Sequence, residues 1–331
     1  MSDQDDDDIE TVSSYKYVDE EDDDVSIDIL TADELLRIGL ETRGFSEERL
    51  AKNNEQRLHD RFKSFYGCSP ITVAQMWTDL QTTEVDEARI GVEGDMKIRI
   101  LDFLNTLEWL KCYEPEANRE VRSGLASKTL RKCCWWYCPR KLQALKVDKI
   151  CFPEPDSIPS DTVWIMSVDG SHCAINEPRH PEFSQDKKQF SHKKGRAGWS
   201  CELGICLWSS NLIWMNGPFK AGKTDKAIFA GEDGCLKDFL HDLELKAIGD
   251  KGYYGHPNEI SSFNAMDAPE VKKFKSRALL RHESFNALLK QFAILDGRFR
   301  HRGRESFATC FEAVAVISQY RIELECPLFE I

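Results

Sequence analysis

No stretch of the 331-residue chain approaches the roughly 18 consecutive apolar residues that a membrane-spanning helix needs. The N-terminus also lacks the apolar segment of a secretory signal. A nuclear or cytoplasmic protein is therefore expected, without a membrane partner and not secreted. The 12 cysteines then read as reduced thiols. Cys133, Cys134 and Cys138 in CCWWYC hint at metal, but no second CxxC or HxxxH pair lies nearby, and buried thiols are the simpler reading. Bases are missing where acids are densest: residues 1–28 hold 13 acids and one lysine. That leader has neither periodicity nor enough apolar content to offset the entropy of ordering, so it reads as disordered. It lacks the Gly and Glu that would complete a calcium loop.

With the leader set aside, the other residues carry 44 acids and 43 bases, so the overall charge of −13 does not exclude a nucleic-acid partner. Apolar residues at 41% and aromatics at 10% are enough for a substantial core. The expected organisation is a leader (1–28), a helical region (29–150) and an α/β domain (151–331).

Helical spacing covers 32–40, 46–64, 70–81, 94–112 and 127–146. At the first sharp junction, Gly67 suits a left-handed helix end, while Ser69 and Pro70 suit the cap and first position of the next helix. Ser123-Gly124-Leu125-Ala126-Ser127 repeats this logic, with Ser127 as cap. The later helix carries Lys128, Arg131 and Lys132, so this all-α region is helix-turn-helix-like with phosphate contact expected there. Two packed hairpins with a solvated basic face explain the pattern equally well.

Pro153, Pro155 and Pro159 mark the entry to the second domain. Strands are expected at Thr162–Val168, Trp199–Trp208, Leu212–Asn216 and Leu245–Ile248, and helices at Asp225–Asp242 and Arg281–Leu295. The result is an α/β sheet domain.

Asp169 directly follows the first expected strand and Asp250 a later one, both beside glycines, and carboxylates at neighbouring strand ends can share a crevice. Glu283 opens the last expected helix, with Lys290 two turns along the same face. Hard cations prefer such oxygen donors, and two of them about 4 Å apart suit phosphoryl transfer. Asp161 and Asp225 are additional acids, and Glu305 rivals Glu283. His172 stands near Asp169, either as a structural histidine or as a substrate or metal contact.

In order, VDGSH (168–172), EPRHP (177–181), FSHKKG (190–195), GPFKAGKTDKAIF (217–229), GDKGYYG (249–255) and RHESFNALLKQFAIL (281–295) resemble the Harbinger-type DDE transposases, the DDE superfamily endonuclease of the fourth transposase group. The resemblance covers about 165–315. It implies an RNase H-like mixed sheet flanked by helices, and Asp169, Asp250 and Glu283 as catalytic, metal-binding acids for two Mg²⁺ or Mn²⁺ ions. Asp225 is implied in a supporting role. DNA, as transposon ends and target, is the implied partner, together with a separate Myb-like DNA-binding protein; a homo-oligomer is left open. The acidic leader, the CCWWYC segment and the lysines of the Gly-Pro turn depart from the family pattern.

Residues 272–304 hold ten Lys or Arg against Glu283 and Asp296, and Lys187, Lys188, Lys193, Lys194 and Arg196 form a second basic cluster. Acids alone would repel a polyanion, so such bases fit DNA contact. The candidates are Lys193, Lys194, Arg196, Arg298, Arg300, Arg302 and Arg304, the last four also reading as a nuclear import signal. Two alternatives stay open. A transposase-derived protein could bind DNA or chromatin without cutting it. Gly217–Thr224 also completes a Walker A pattern, making a P-loop nucleotide-binding protein the lesser alternative, although Pro218 and Phe219 crowd that loop.

Overall fold

The computed structural model describes residues 29–82, 98–176, 188–231, 235–301 and 303–331. The acidic leader, EPRHP, Lys187, Arg302 and the start of the expected 94–112 helix lie outside them.

The helical region comprises α1 (Ala32–Glu41), α2 (Glu47–Ala51), α3 (Glu55–Tyr66), α4 (Pro70–Thr82), α5 (Ile100–Cys112) and α6 (Glu116–Ser123). A π-helical stretch, Leu130–Tyr137, then runs into α7 (Cys138–Ala144). The expected turn chemistry is present. Gly67 caps α3 with φ 83°, a conformation that favours glycine, and Ser69 Oγ accepts the Thr72 N–H at 3.3 Å. At the second junction Gly124 is left-handed, but the cap position belongs to Ala126, because Ser127 turns to Glu120 and both its N–H and its hydroxyl donate there.

The sheet strands are β1 (Trp164–Ala174), β2 (Phe190–Ser191), β3 (Arg196–Cys206), β4 (Leu212–Lys220), β5 (Lys246–Gly249) and β6 (Ile260–Ser261). Their order is β2-β3-β1-β5-β6, with β4 also on β3. β1, β3 and β4 pair antiparallel, whereas β5 and β6 run parallel to β1. The helix expected at Asp225–Asp242 is instead two short ones, α8 (Asp225–Phe229) and α9 (Leu236–Asp242). Next come α10 (Pro269–Lys290) and α11 (Arg304–Leu324). The mixed sheet is flanked by α8 and α9 on one face, where Phe229, Leu236 and Leu240 pack on Met166 and Val168, and by α10 and α11 on the other.

One apolar core crosses position 150, joining Phe62, Trp77, Phe103 and Leu107 of the helical region to Leu203 and Ile205 of β3 and to Phe285, Phe307 and Val314. Each such side chain contributes about 1.5–3 kcal/mol when fully buried. The chain end reinforces the joint: Glu325 accepts from Lys63 Nζ at 2.6 Å, Ser69 N at 2.7 Å and Thr72 Oγ1 at 2.9 Å.

Candidate active site

β1 has two neighbours of unequal length. Its antiparallel pairing with β3 runs from Met166↔Cys206 to Ala174↔Gly198, whereas its parallel pairing with β5 stops at Val168↔Gly249. The next residues along the two strands are Asp169 and Asp250. They stand side by side where β1 has lost one partner, at the carboxyl end of a parallel strand, where α/β sheets open their crevices. The expectation that β1 ends at Val168 is thus corrected: β3 continues beside it, and Asp169 is mid-strand.

Two backbone amides orient these acids. Gly170 N–H donates to Asp169 Oδ1 at 2.8 Å, and Gly252 N–H donates to Asp250 Oδ1 at 2.6 Å. Asp225 arrives as the first residue of α8, which Thr224 caps by accepting the Ala227 N–H. A Cβ at Gly252 would lie 2.8 Å from both Asp225 Oδ2 and Asp250 Oδ1, and one at Gly170 would lie 3.0 Å from Asp225 Oδ1. Glycine at 252 is what lets Asp225 and Asp250 approach each other, and glycine at 170 leaves Asp225 room on β1.

Their electrostatics follow from that crowding. Burial pushes the Asp169 carboxyl up to about 6; the Gly170 N–H opposes the rise, Asp250 and Asp225 add to it, and Lys193 opposes it. Asp225 is raised by burial and by Asp250, against Lys193. Glu202 on β3 was not anticipated. It is buried, and burial pushes it up to about 7, with Trp214 opposing and Asp225 adding. Its one signal in the sequence was a lone acid inside the apolar run WSCELGICLW.

The other expected residues divide. Glu283 is exposed, two-thirds of the way along α10 instead of at its start. α10 begins twelve residues earlier than expected because Pro269 opens it and the polar stretch behind Pro269 remains helical. The helix still lies along β1 on both sides of Asp169. The buried His282 Nδ1 is 3.3 Å from Ser167 Oγ, and Lys290 Nζ donates to His172 O at 2.7 Å. Lys290 also donates to Leu295 O and Cys173 Sγ, so its role here is to anchor the helix. His172 packs its ring over Gly198, and burial lowers it to about 4. Asp161 lies exposed in a turn, and Glu305 pairs with Arg140.

Among the bases, Lys128, Lys132, Lys193, Lys194, Arg196 and Arg298 are exposed. Arg131 pairs with Glu116 at 2.6 Å. Arg300 lies over the Tyr113 ring and donates to Tyr113 O, while Arg304 Nε donates to Pro218 O at 3.0 Å, so both tie chain segments together. The Walker-like stretch forms no phosphate-wrapping loop, because Gly217–Lys220 belong to β4, Lys223 packs over the Phe219 ring, and the following α8 has only five residues.

Residues 168–319, a little under half of the chain, match the model of the family described as DDE superfamily endonuclease. That match supports a nuclease or transposase of the DDE superfamily, a class with DNA as substrate that generally uses divalent metals. No curated protein and no solved structure matches the chain. Among the described residues, no helix is long and apolar enough to cross a membrane. Nor is any group of three or more His, Cys, Asp or Glu arranged to hold a metal ion. The donor chemistry nevertheless fits a hard cation: Asp225 and Asp250 offer carboxylate oxygens side by side, and a positive charge would relieve their repulsion.

Proposed function

We propose that this chain is a divalent-metal-dependent DNA endonuclease or transposase of the Harbinger type, with an RNase H-like catalytic sheet. The observation that carries the reading is the approach of Asp225 and Asp250 across Gly252, next to Asp169 where β1 outruns β5, inside the family-matched segment. Mg²⁺ or Mn²⁺ bound there would polarise the scissile phosphate and the attacking oxygen. Asp169 and Asp250 hold the ions, their carboxylates oriented by Gly170 N–H and Gly252 N–H. Glu283 completes the triad from α10, and Asp225 supports it from α8. Lys193, which offsets charge on Asp169 and Asp225, helps admit the DNA backbone. Lys128, Lys132, Lys194, Arg196 and Arg298 extend that contact. Action in the nucleus alongside a Myb-like partner belongs to the same reading.

The test is strand cleavage of terminal-repeat DNA with Mg²⁺ or Mn²⁺. Nicking should require metal and vanish in Asp169→Asn and Asp250→Asn, and cleavage retained in either variant would sink the proposal. A second reading, a DNA- or chromatin-binding protein that no longer cuts, is favoured by the exposure of Glu283. Normal DNA binding with no metal-dependent cleavage would select it.

A further inference from the structure

Glu202 is a deeply buried acid near the crevice, 1% exposed, and its Oε1 has no hydrogen-bond partner among the described residues. The other oxygen, Oε2, accepts from Trp214 Nε1 at 3.1 Å, which fixes the side chain in place. Its position follows from strand register. Glu202 is directly opposite Gly170 in the antiparallel β1–β3 pair, and directly opposed residues project to the same face of a sheet. That face, above Gly170, is where Asp225 Oδ1 lies, 3.0 Å from the position a Cβ would take. Burial raises the Tyr253 hydroxyl, and Glu202, Asp225, Asp169 and Asp250 raise it further.

A carboxylate oxygen this deeply buried normally has a donor, because leaving one unsatisfied costs about 1–3 kcal/mol. Among the described residues Lys223 is the base that acts on Glu202, and Lys223 itself is directed over Phe219. A cation within the acid cluster would supply the missing charge.

We propose that Glu202 is a positioning residue of the divalent-cation site, a carboxylate fixed by Trp214 that supplies negative charge to the bound cation from the inner side of the crevice, on the same sheet face as Asp225. This rests on the metal-dependent reading above. Groups that orient metal ligands typically change metal affinity by about 10–100-fold when removed.

The test is Mn²⁺ binding to the full chain, followed by calorimetry in mildly alkaline buffer, with unfolding midpoints measured without metal. Glu202→Gln keeps the volume and the acceptor for Trp214 while removing the charge. It should weaken Mn²⁺ binding roughly 10-fold or more and, without metal, raise the unfolding midpoint, because one repelled buried acid is gone. A merely structural glutamate would do the reverse, with a lower midpoint and unchanged Mn²⁺ affinity, and that outcome overturns the proposal. Trp214→Phe, which retains the charge but frees the carboxylate, should weaken binding by less than Glu202→Gln; an equal or larger loss would contradict the charge argument. If Glu202→Gln binds Mn²⁺ normally while Asp250→Asn does not, this proposal fails and the metal site stands. If the unsubstituted chain binds no Mn²⁺, the metal-dependent reading fails with it.

Discussion

Two charge clusters in this chain are built on opposite principles. In the helical region Glu108 is surrounded by cations: Arg43 at 2.6 Å, Arg122 at 3.2 Å and Arg119 at 3.6 Å, with Arg43 and Arg119 also bonded to Asn105. In the sheet domain Asp225 and Asp250 approach each other across Gly252, Asp169 and Glu202 add like charge, and among the described residues Lys193 and Lys223 oppose it. The first cluster is electrically answered from within the protein and joins α5 and α6 to the segment after α1. The second is not, and Asp169, Glu202 and Asp225 are held uphill. Burial alone therefore does not mark a functional site; burial with unanswered charge of one sign does.

The contrast is broken most strongly at Glu108. Glu108→Ala strands Arg43 and Arg119 without their carboxylate and should destabilise the fold by about 3–5 kcal/mol in chemical denaturation. Little loss there would mean that the arginines find other partners.

Asp169→Asn should behave in the opposite way, with a pH signature. The folded-state value of about 6 lies above the ordinary carboxylate value, so Asp169 favours the folded state below pH 4 and that contribution is lost as pH rises through about 6. The asparagine variant escapes the loss. Relative to the unsubstituted chain without metal, it should gain on the order of 1–3 kcal/mol between acid and neutral pH. His172 and His282, both lowered to about 4 by burial, pull the other way and lose stability as pH falls from 6.5 toward 4. Their effect cancels in the difference between the two proteins. A difference that shrank with rising pH would contradict the assigned repulsion.

A third comparison separates charge outside the crevice from charge within it. Lys193→Ala should leave stability nearly unchanged while lowering DNA affinity and reducing the salt dependence of binding by about one unit of slope. An unchanged slope would remove Lys193 from the DNA path. The smallest effect is expected for Glu305→Ala, which breaks the pair with Arg140: Glu305 is 77% exposed, and such pairs contribute about 0–1 kcal/mol.

Part of the candidate site was legible in the sequence and part was not. Asp169 and Asp250 were legible because each follows a short apolar run and meets glycine, a local pattern. Where β1 stops was not legible, because it is set by β3 some thirty residues away. Glu202 escaped notice because a single acid in a strand looks like any edge residue until the register places it opposite Gly170. The early start of α10 was hidden by its polar first half, and α11 by the opposite feature: buried nearly all round, from Phe307 to Ile322, it has no amphipathic stripe to read. The Glu108 cluster depends on residues 65 apart, Arg43 and Glu108, and no local window contains both.

The most direct test of the central claim is the unfolding midpoint as a function of Mn²⁺ concentration, for the unsubstituted chain and for an Asp169→Asn, Asp250→Asn double variant. Unanswered acids that await a cation predict a midpoint that climbs steadily with metal in the former, as mass action requires, and stays flat in the latter. A flat response in the unsubstituted chain, or an equal climb in both, would contradict the account.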